Sequence, residues 1–306
     1  MNSNPLTTRV AGLELKNPTV LASGILGYTA ASLQRVVEGG AGAVVTKSVG
    51  ANPRMGYANP TVVQANCGLI NAMGLPNPGI DTYVDEIAFA KTVVQAPLIV
   101  SVFGYSAEEY AQVAQKAANA DADAIELNVS CPHVEQTGSE IGQNPALLKE
   151  VVSQVKAAVC KPVIVKLSPN VTDITETAQA AVKAGADALT AINTVKALVI
   201  DAETALPVLN NVRGGLSGPA IKPIALRSVY DLYEQVKAPI LGCGGITTWQ
   251  DAVEFFLAGA SAVQIGTAVA LHDPDVFHEI NRGVKAYLEK KQHNSVQEIV
   301  GLAHRT

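Results

Sequence analysis

The chain has 306 residues, 48% hydrophobic and 16% charged, with a net charge of −5. A charged fraction well under the usual ~25%, with no basic cluster, excludes a disordered chain and a nucleic-acid-binding one. No apolar run reaches the roughly 18 residues of a membrane span, no signal-peptide pattern opens the chain, and the four cysteines hold no C-x-x-C pair, so a reduced cytoplasmic protein without a metal or iron–sulfur centre is expected.

In chain order, short buried runs alternate with amphipathic stretches. The runs at 18–23 and 42–47 read as strands, and residues 50–80, rich in Gly, Asn and Pro, read as a long functional loop. A strand follows Ala96-Pro97, then a helix at 106–119 and a strand from Ala124. A loop at 131–144, read as a lid that excludes water, precedes a helix at 145–158. A strand after Lys161-Pro162 leads to a helix at 172–184, a strand from Ala188 and a helix at 219–236. A strand after Ala238-Pro239, a helix at 248–258, a strand from Ala262 and a helix at 274–290 complete the series.

Two phrases punctuate this pattern. Gly40-Ala41-Gly42-Ala43, Gly185-Ala186-Asp187-Ala188 and Gly259-Ala260-Ser261-Ala262 share one form, with Asp121-Ala122-Asp123-Ala124 as a weaker copy. Ala96-Pro97, Lys161-Pro162 and Ala238-Pro239 share another. In each, a helix-ending residue precedes a run suited to a parallel strand covered on both faces. Eight βα units without a linker predict one domain, a single (β/α)8 TIM barrel over residues 1–306. A doubly wound sheet is disfavoured because no strand opens a G-x-G-x-x-G turn.

The site of such a barrel lies at the C-terminal ends of its strands. Those ends carry Ser23, Lys47 and Ser48, Ser101, Asn128 to Cys131, Lys166, Asn193, Gly244-Gly245 and Gly266-Thr267. The set lacks paired carboxylates and a metal cluster. The glycines after strands 7 and 8 suit a phrase of backbone that approaches a phosphate, or simply a turn. Lys47 and Lys166 lie beside apolar runs, so each needs an anion, either a ligand or an internal partner. Asn128 and Asn193 either bind a ligand or satisfy local backbone. Glu126 reads as a buried ion-pair partner, and His133 as a loop residue. Cys67, Cys160 and Cys243 read as small core residues, whereas Cys131, just past a strand end and before Pro132, reads as catalytic.

Asn128-Val129-Ser130-Cys131-Pro132 resembles the catalytic motif of dihydroorotate dehydrogenases. Lys47-Ser48, Asn71-Ala72-Met73-Gly74-Leu75, Lys166 to Asp173, Ile192-Asn193-Thr194, Gly215 to Pro219 and Gly244-Gly245 extend that resemblance, in order, over about residues 5–300. Cysteine rather than serine at position 131 makes the chain most similar to the class 1B, NAD-linked catalytic subunits of bacteria or archaea.

The resemblance implies FMN at the barrel mouth. Ser23, Lys47, Ser48, Ser101, Asn128, Lys166, Ile192, Gly218, Gly244, Gly245, Gly266 and Thr267 would touch it, with Ser101 standing where relatives often have Asn. Lys47, Asn71, Ala72, Met73, Gly74, Leu75, Asn128, Asn193 and Thr194 would hold dihydroorotate. Cys131 would be the base, FMN the hydride acceptor, and the product orotate, on the route to UMP. The resemblance further implies a homodimer within a heterotetramer whose second subunit carries FAD and a [2Fe–2S] cluster. The rivals are a dihydropyrimidine (dihydrouracil) dehydrogenase-like enzyme and a non-redox phosphate-binding barrel.

Overall fold

The computed structural model describes residues 4–130 and 141–305. Eight parallel strands close into a barrel: β1 (Thr19–Leu21), β2 (Ala43–Val45), β3 (Leu98–Val102), β4 (Ala124–Asn128), β5 (Val163–Leu167), β6 (Ala188–Ala191), β7 (Ile240–Cys243) and β8 (Ala262–Ile265). They stand around the barrel in chain order, with β8 pairing β1. All eight coincide with the predicted runs.

The repeated phrases have a physical explanation. Gly40, Gly185 and Gly259 adopt φ of +106°, +102° and +119°, and Asp121 takes the same left-handed turn at +66°. The next residue, always Ala, returns its N–H to the carbonyl five residues earlier: Ala41 to Val36, Ala186 to Ala181, Ala260 to Phe255 and Ala122 to Ala117. This is the Schellman closure of a helix. Aspartate is among the few residues besides Gly that tolerate the left-handed region, which is why the weaker copy works. In the other phrase, the carbonyls of Pro97, Pro162 and Pro239 accept from Val44, Ile125 and Leu189. Each proline thus starts a ladder at a position where its missing N–H is not needed.

The helices are α1 (Ala30–Glu38), α2 (Ile80–Val93), α3 (Ala107–Asn119), α4 (Pro145–Ala158), α5 (Ile174–Lys183), α6 (Lys222–Gln235), α7 (Trp249–Ala258), α8 (Thr267–His272) and α9 (Val276–Lys291). Six lie within two or three residues of the predicted stretches. α1 is short and α2 begins inside the predicted loop; neither was anticipated. The stretch predicted as one helix from 219 opens with a 3-10 turn, Pro219–Ile221.

Two layers of core follow. Between strands and helices lies a continuous apolar layer that includes the fully buried Phe255, Phe256 and Phe277, each contributing about 1.5–3 kcal/mol by burial. Inside the barrel, Val20, Ala43, Val45, Ile99, Ala124, Ile164, Ala188, Leu241 and Ala262 fill the N-terminal half. An antiparallel hairpin, Thr8–Val10 with Leu13–Leu15, adds Val10, Ala11 and Leu15 to that cluster and closes the end.

The loops at the other end are built up rather than open. The expected 50–80 loop contains the hairpin Val62–Ala65 and Gly68–Asn71. That hairpin joins Val195–Leu198 and Arg213–Ser217 in a four-stranded antiparallel sheet. A second small hairpin, Ile200–Asp201 with Leu206–Pro207, projects from it. Residues 131–140 of the predicted 131–144 lid, Cys131 and His133 among them, lie outside the described residues. Residues 141–143 form a 3-10 turn in which Ile141 and Gly142 are buried.

Two cysteine expectations are overturned. Cys67 and Cys160 are exposed, and only Cys243 of the predicted core three is buried. Cys67 occupies the turn of the 62–71 hairpin and Cys160 the turn after α4, where neither strand nor helix covers them. Among the described residues no helix is long and apolar enough to cross a membrane, and no cluster of His, Cys, Asp and Glu could hold a metal.

Candidate active site

Above the apolar half, the barrel interior becomes polar. Register places Asn128, Lys166 and Thr190 side by side on β4, β5 and β6. Glu126 is wholly buried one turn of the pleat below, beside Ser101 of β3. The strand ends therefore gather the polar residues because the barrel tilt brings equivalent ends of all eight strands to one mouth.

A chain of hydrogen bonds links the predicted residues. Asn193 Nδ2 donates to Asn128 Oδ1 at 3.2 Å, and Asn128 Nδ2 donates to Ser48 Oγ at 3.1 Å. Ser48 Oγ lies 2.8 Å from Ser101 Oγ and 3.3 Å from Ser23 Oγ. The backbone N–H of Thr194 donates to Asn193 Oδ1 at 2.8 Å. The structure thus brings Ser23, Ser48, Ser101, Asn128, Asn193 and Thr194 into one network. Ile192, next to Asn193, is buried, and its N–H donates to the carbonyl of Cys243 at 2.7 Å.

Asn71 is on the hairpin that overhangs this mouth, and its Nδ2 donates to the carbonyl of Gly215 at 3.4 Å. It is followed by Ala72, which is buried, and by the half-buried Met73, Gly74 and Leu75. Gly74 and Leu75 turn with φ of +73° and +55°. Arg54 holds this turn: its Nε donates to the carbonyl of Gly74 at 3.3 Å and its guanidinium to Tyr105 Oη at 2.6 Å. Sequence reasoning missed Arg54 and Tyr105, because two residues 51 apart in a loop and a strand extension carry no local pattern.

The two lysines differ. Lys47 is half-buried, and its ammonium has no hydrogen bond or ion pair among the described residues. Burial holds its pKa below the ordinary lysine value. Lys166 is almost wholly buried and has an internal partner set. Its Nζ donates to Gln264 Oε1 at 3.1 Å and lies 4.0 Å from Glu126 Oε1. Burial opposes its charge, but Cys243 and Glu126 outweigh that and hold its pKa above the ordinary value. Burial pushes the Cys243 thiol up, while the nearby Lys166 pulls it the other way. The buried role read for Glu126 is therefore met by Lys166.

The glycines form a cradle. Gly218, Gly244 and Gly245 take φ of +93°, +130° and +76°. A Cβ at Gly245 would fall 2.7 Å from the Lys222 backbone nitrogen, and one at Gly218 would fall 2.8 Å from Gly68 Cα and 3.2 Å from the Thr267 methyl. Gly266 precedes α8, and Thr267 Oγ1 donates to Ser217 Oγ at 2.8 Å. The Gly218 turn thus packs against Thr267 at the start of α8, and the Gly245 turn against Lys222 at the start of α6. Backbone N–H groups at glycine turns beside a helix start are of the kind that suits a phosphate. With a polar rim, a cation at Lys47 that has no partner among the described residues, and a second cation at Lys166, the donor set fits a phosphorylated cofactor beside an anionic substrate.

Comparison with known proteins agrees with that chemistry. The family profile described as "Dihydroorotate dehydrogenase" matches residues 5–288. A protein of Pyrococcus abyssi is 55% identical over 298 residues, covering 97% of this chain and 99% of its own. One from Methanosarcina acetivorans is 52% identical over 296 residues, with 96% and 95% covered, and one from Thermococcus kodakarensis is 54% identical over 298, with 97% and 98% covered. All three bear the name dihydroorotate dehydrogenase B (NAD(+)), catalytic subunit.

Proposed function

The chain belongs to the dihydroorotate dehydrogenase family, and from that premise we propose that it oxidises (S)-dihydroorotate to orotate in pyrimidine biosynthesis, as the catalytic subunit of an NAD-linked enzyme of the cytoplasm. The observation that carries this reading is a cation without a partner among the described residues, Lys47, at the mouth that also holds the linked amides of Asn128 and Asn193 and the Asn71 turn. Dihydroorotate offers a carboxylate for the cation. Its ring edge alternates N–H and C=O, which amides can both donate to and accept from.

The family is a flavin-dependent one, and FMN is the flavin proposed here. It supplies the acceptor for the hydride that leaves C6 of the substrate. Ser23, Lys47, Ser48, Ser101, Asn128, Lys166 and Ile192 would hold its ring system, and Gly218, Gly244, Gly245, Gly266 and Thr267 its phosphate. Lys166 brings positive charge to an electron-rich cofactor. Cys131 is the proposed base for the C5 proton, with an unperturbed thiol pKa near 8.5. Lys47 and the turn from Asn71 through Ala72, Met73, Gly74 and Leu75 would hold the substrate with Asn128, Asn193 and Thr194. The lid role of 131–144 belongs to the same proposal.

The relatives' name, catalytic subunit of an NAD(+) enzyme, supports a second subunit, which would carry FAD and a [2Fe–2S] cluster and pass electrons on to NAD. The catalytic chain is proposed to dimerise within that heterotetramer. Support comes from Ile200 and Leu206, which expose their apolar side chains on the projecting hairpin, and from Leu198 and Val212, exposed in the segments that flank it.

The direct test is the absorption spectrum of the purified protein and its bleaching by dihydroorotate. A yellow protein bleached by dihydroorotate and not by dihydrouracil is expected. Bleaching by dihydrouracil alone would assign the dihydropyrimidine reaction instead, and a colourless protein that binds no FMN would assign a non-redox barrel.

A further inference from the structure

One buried carboxylate has no part in the reaction just described. Glu126 is completely buried, and its Oε1 has no hydrogen-bond partner. Its Oε2 accepts from Gln264 Nε2 at 2.6 Å and from Thr190 Oγ1 at 3.0 Å. Gln264 Nε2 also lies 3.2 Å from Thr190 Oγ1. With its nitrogen committed to β4 and β6, the Gln264 amide must turn its oxygen toward Lys166, where it accepts at 3.1 Å. A buried carboxylate left half-satisfied is costly, and the cation 4.0 Å from the unsatisfied oxygen is the only compensation in reach among the described residues.

We propose that Glu126, with Gln264 and Thr190, is a positioning unit that keeps Lys166 charged and aimed at the barrel mouth, and so sets the reduction potential of the flavin there. The proposal rests on the flavin reading above. The groups facing Lys166 Nζ are Glu126 from β4, Thr190 from β6, Cys243 from β7 and Gln264 from β8. Glu126 and Cys243 are the two acidic groups among them, and burial pushes the Cys243 thiol up. Glu126, with Oε1 4.0 Å from Nζ, is the carboxylate among them that opposes the desolvation of Lys166. Without it, burial makes Lys166 shed its proton at a lower pH.

The test is the flavin midpoint potential, by dye equilibration from pH 6 to 9, in wild type, Glu126→Gln, Lys166→Met and the double variant. At pH 8.5, Glu126→Gln is expected to lose about tenfold in the reduced-to-oxidised ratio, about 30 mV for a two-electron couple. At pH 6, where Lys166 regains its proton, the potential should return to or exceed that of wild type. The fall should vanish in the Lys166→Met background, because Glu126 acts through Lys166. Should Glu126→Gln not fold, Thr190→Val, which removes one anchor of the unit, is expected to show a smaller fall of the same sign. Glu126→Gln combined with Gln264→Glu moves the carboxylate next to Lys166 and should restore the wild-type profile.

A Glu126→Gln potential parallel to wild type across the range overturns the proposal, as does a fall that persists without Lys166. A wild-type protein that carries no flavin would overturn the functional reading first, and this inference with it. Normal bleaching by dihydroorotate with a flat Glu126→Gln profile would overturn this inference alone.

Discussion

Replacing Lys47 by Met should make the ligand-free protein more stable and the enzyme worse. Lys47 holds a half-buried ammonium with no partner among the described residues. Met keeps much of the aliphatic stem while removing the desolvated charge. Relief of such functional strain is commonly worth about 0.5–2 kcal/mol. Unfolding entropy of about 2.1 cal/mol/K per residue gives ~0.6 kcal/mol/K for a chain of this length. The ligand-free Tm should therefore rise by about 1–3 °C. Binding should move the other way: a charge-assisted hydrogen bond to the substrate carboxylate is worth about 1.5–3 kcal/mol, which weakens orotate about 10- to 150-fold.

Thermal melting with and without orotate reads both effects at once. Orotate at a hundred times its wild-type Kd should stabilise wild type by about 2.7 kcal/mol, or about 4 °C. In the variant the same concentration should give about 2 °C or less. The pH dependence has a definite sign. The folded pKa of Lys47 is lowered by burial, so between that pKa and the unfolded one the unfolded chain binds more protons. Wild-type stability then rises with pH through this window. The advantage of Lys47→Met should be complete below the lowered folded pKa and shrink as pH approaches the unfolded lysine value. A ligand-free Tm that falls, with the orotate shift retained, would refute the assignment of Lys47 as an unpaired cation awaiting an anion.

Four further outcomes are expected. Cys131→Ala should keep the yellow FMN spectrum and lose about 100-fold or more in turnover at neutral pH; wild-type-like turnover would remove Cys131 as the base. The chain purified alone should pass electrons from dihydroorotate to dyes but not to NAD, and efficient NAD reduction would dispose of the partner subunit. Gly245→Ala should lose about 1–3 kcal/mol of stability and weaken FMN more than riboflavin, because it meets both a left-handed φ and the Lys222 backbone; equal loss for both flavins would detach this turn from the phosphate. Ile200→Lys with Leu206→Lys should leave a folded monomer by sedimentation, since both side chains are largely exposed in one protomer; an unchanged dimer would place the interface elsewhere.

Much of the barrel is legible because its instructions are local. A helix end needs a left-handed residue and a parallel strand needs a buried run, so Gly40, Asp121, Gly185 and Gly259 mark four of the eight joints by chemistry alone. α1 and α2 escaped notice because one is only nine residues long and the other starts inside a segment dominated by Gly, Asn and Pro. The four-stranded sheet above the mouth joins segments about 145 residues apart, Leu69–Asn71 with Gly215–Ser217. Nothing in either segment names the other. Cys67 and Cys160 look like core cysteines in composition, and only their place in turns shows that they are not.

The sequence by itself determined the eight-fold alternation, the strand ends, and which residue types meet at the mouth, because those follow from spacing and from the rule that parallel strands expose their chemistry at one end. The tertiary structure alone decided what each polar group faces. Two lysines that read alike proved opposite, Lys47 without a partner among the described residues and Lys166 locked to Gln264 and Glu126. The reason is physical: a side chain's charge state depends on the groups packed around it, and here those groups arrive from β4, β6, β7 and β8, far apart in the chain and adjacent only once the barrel closes.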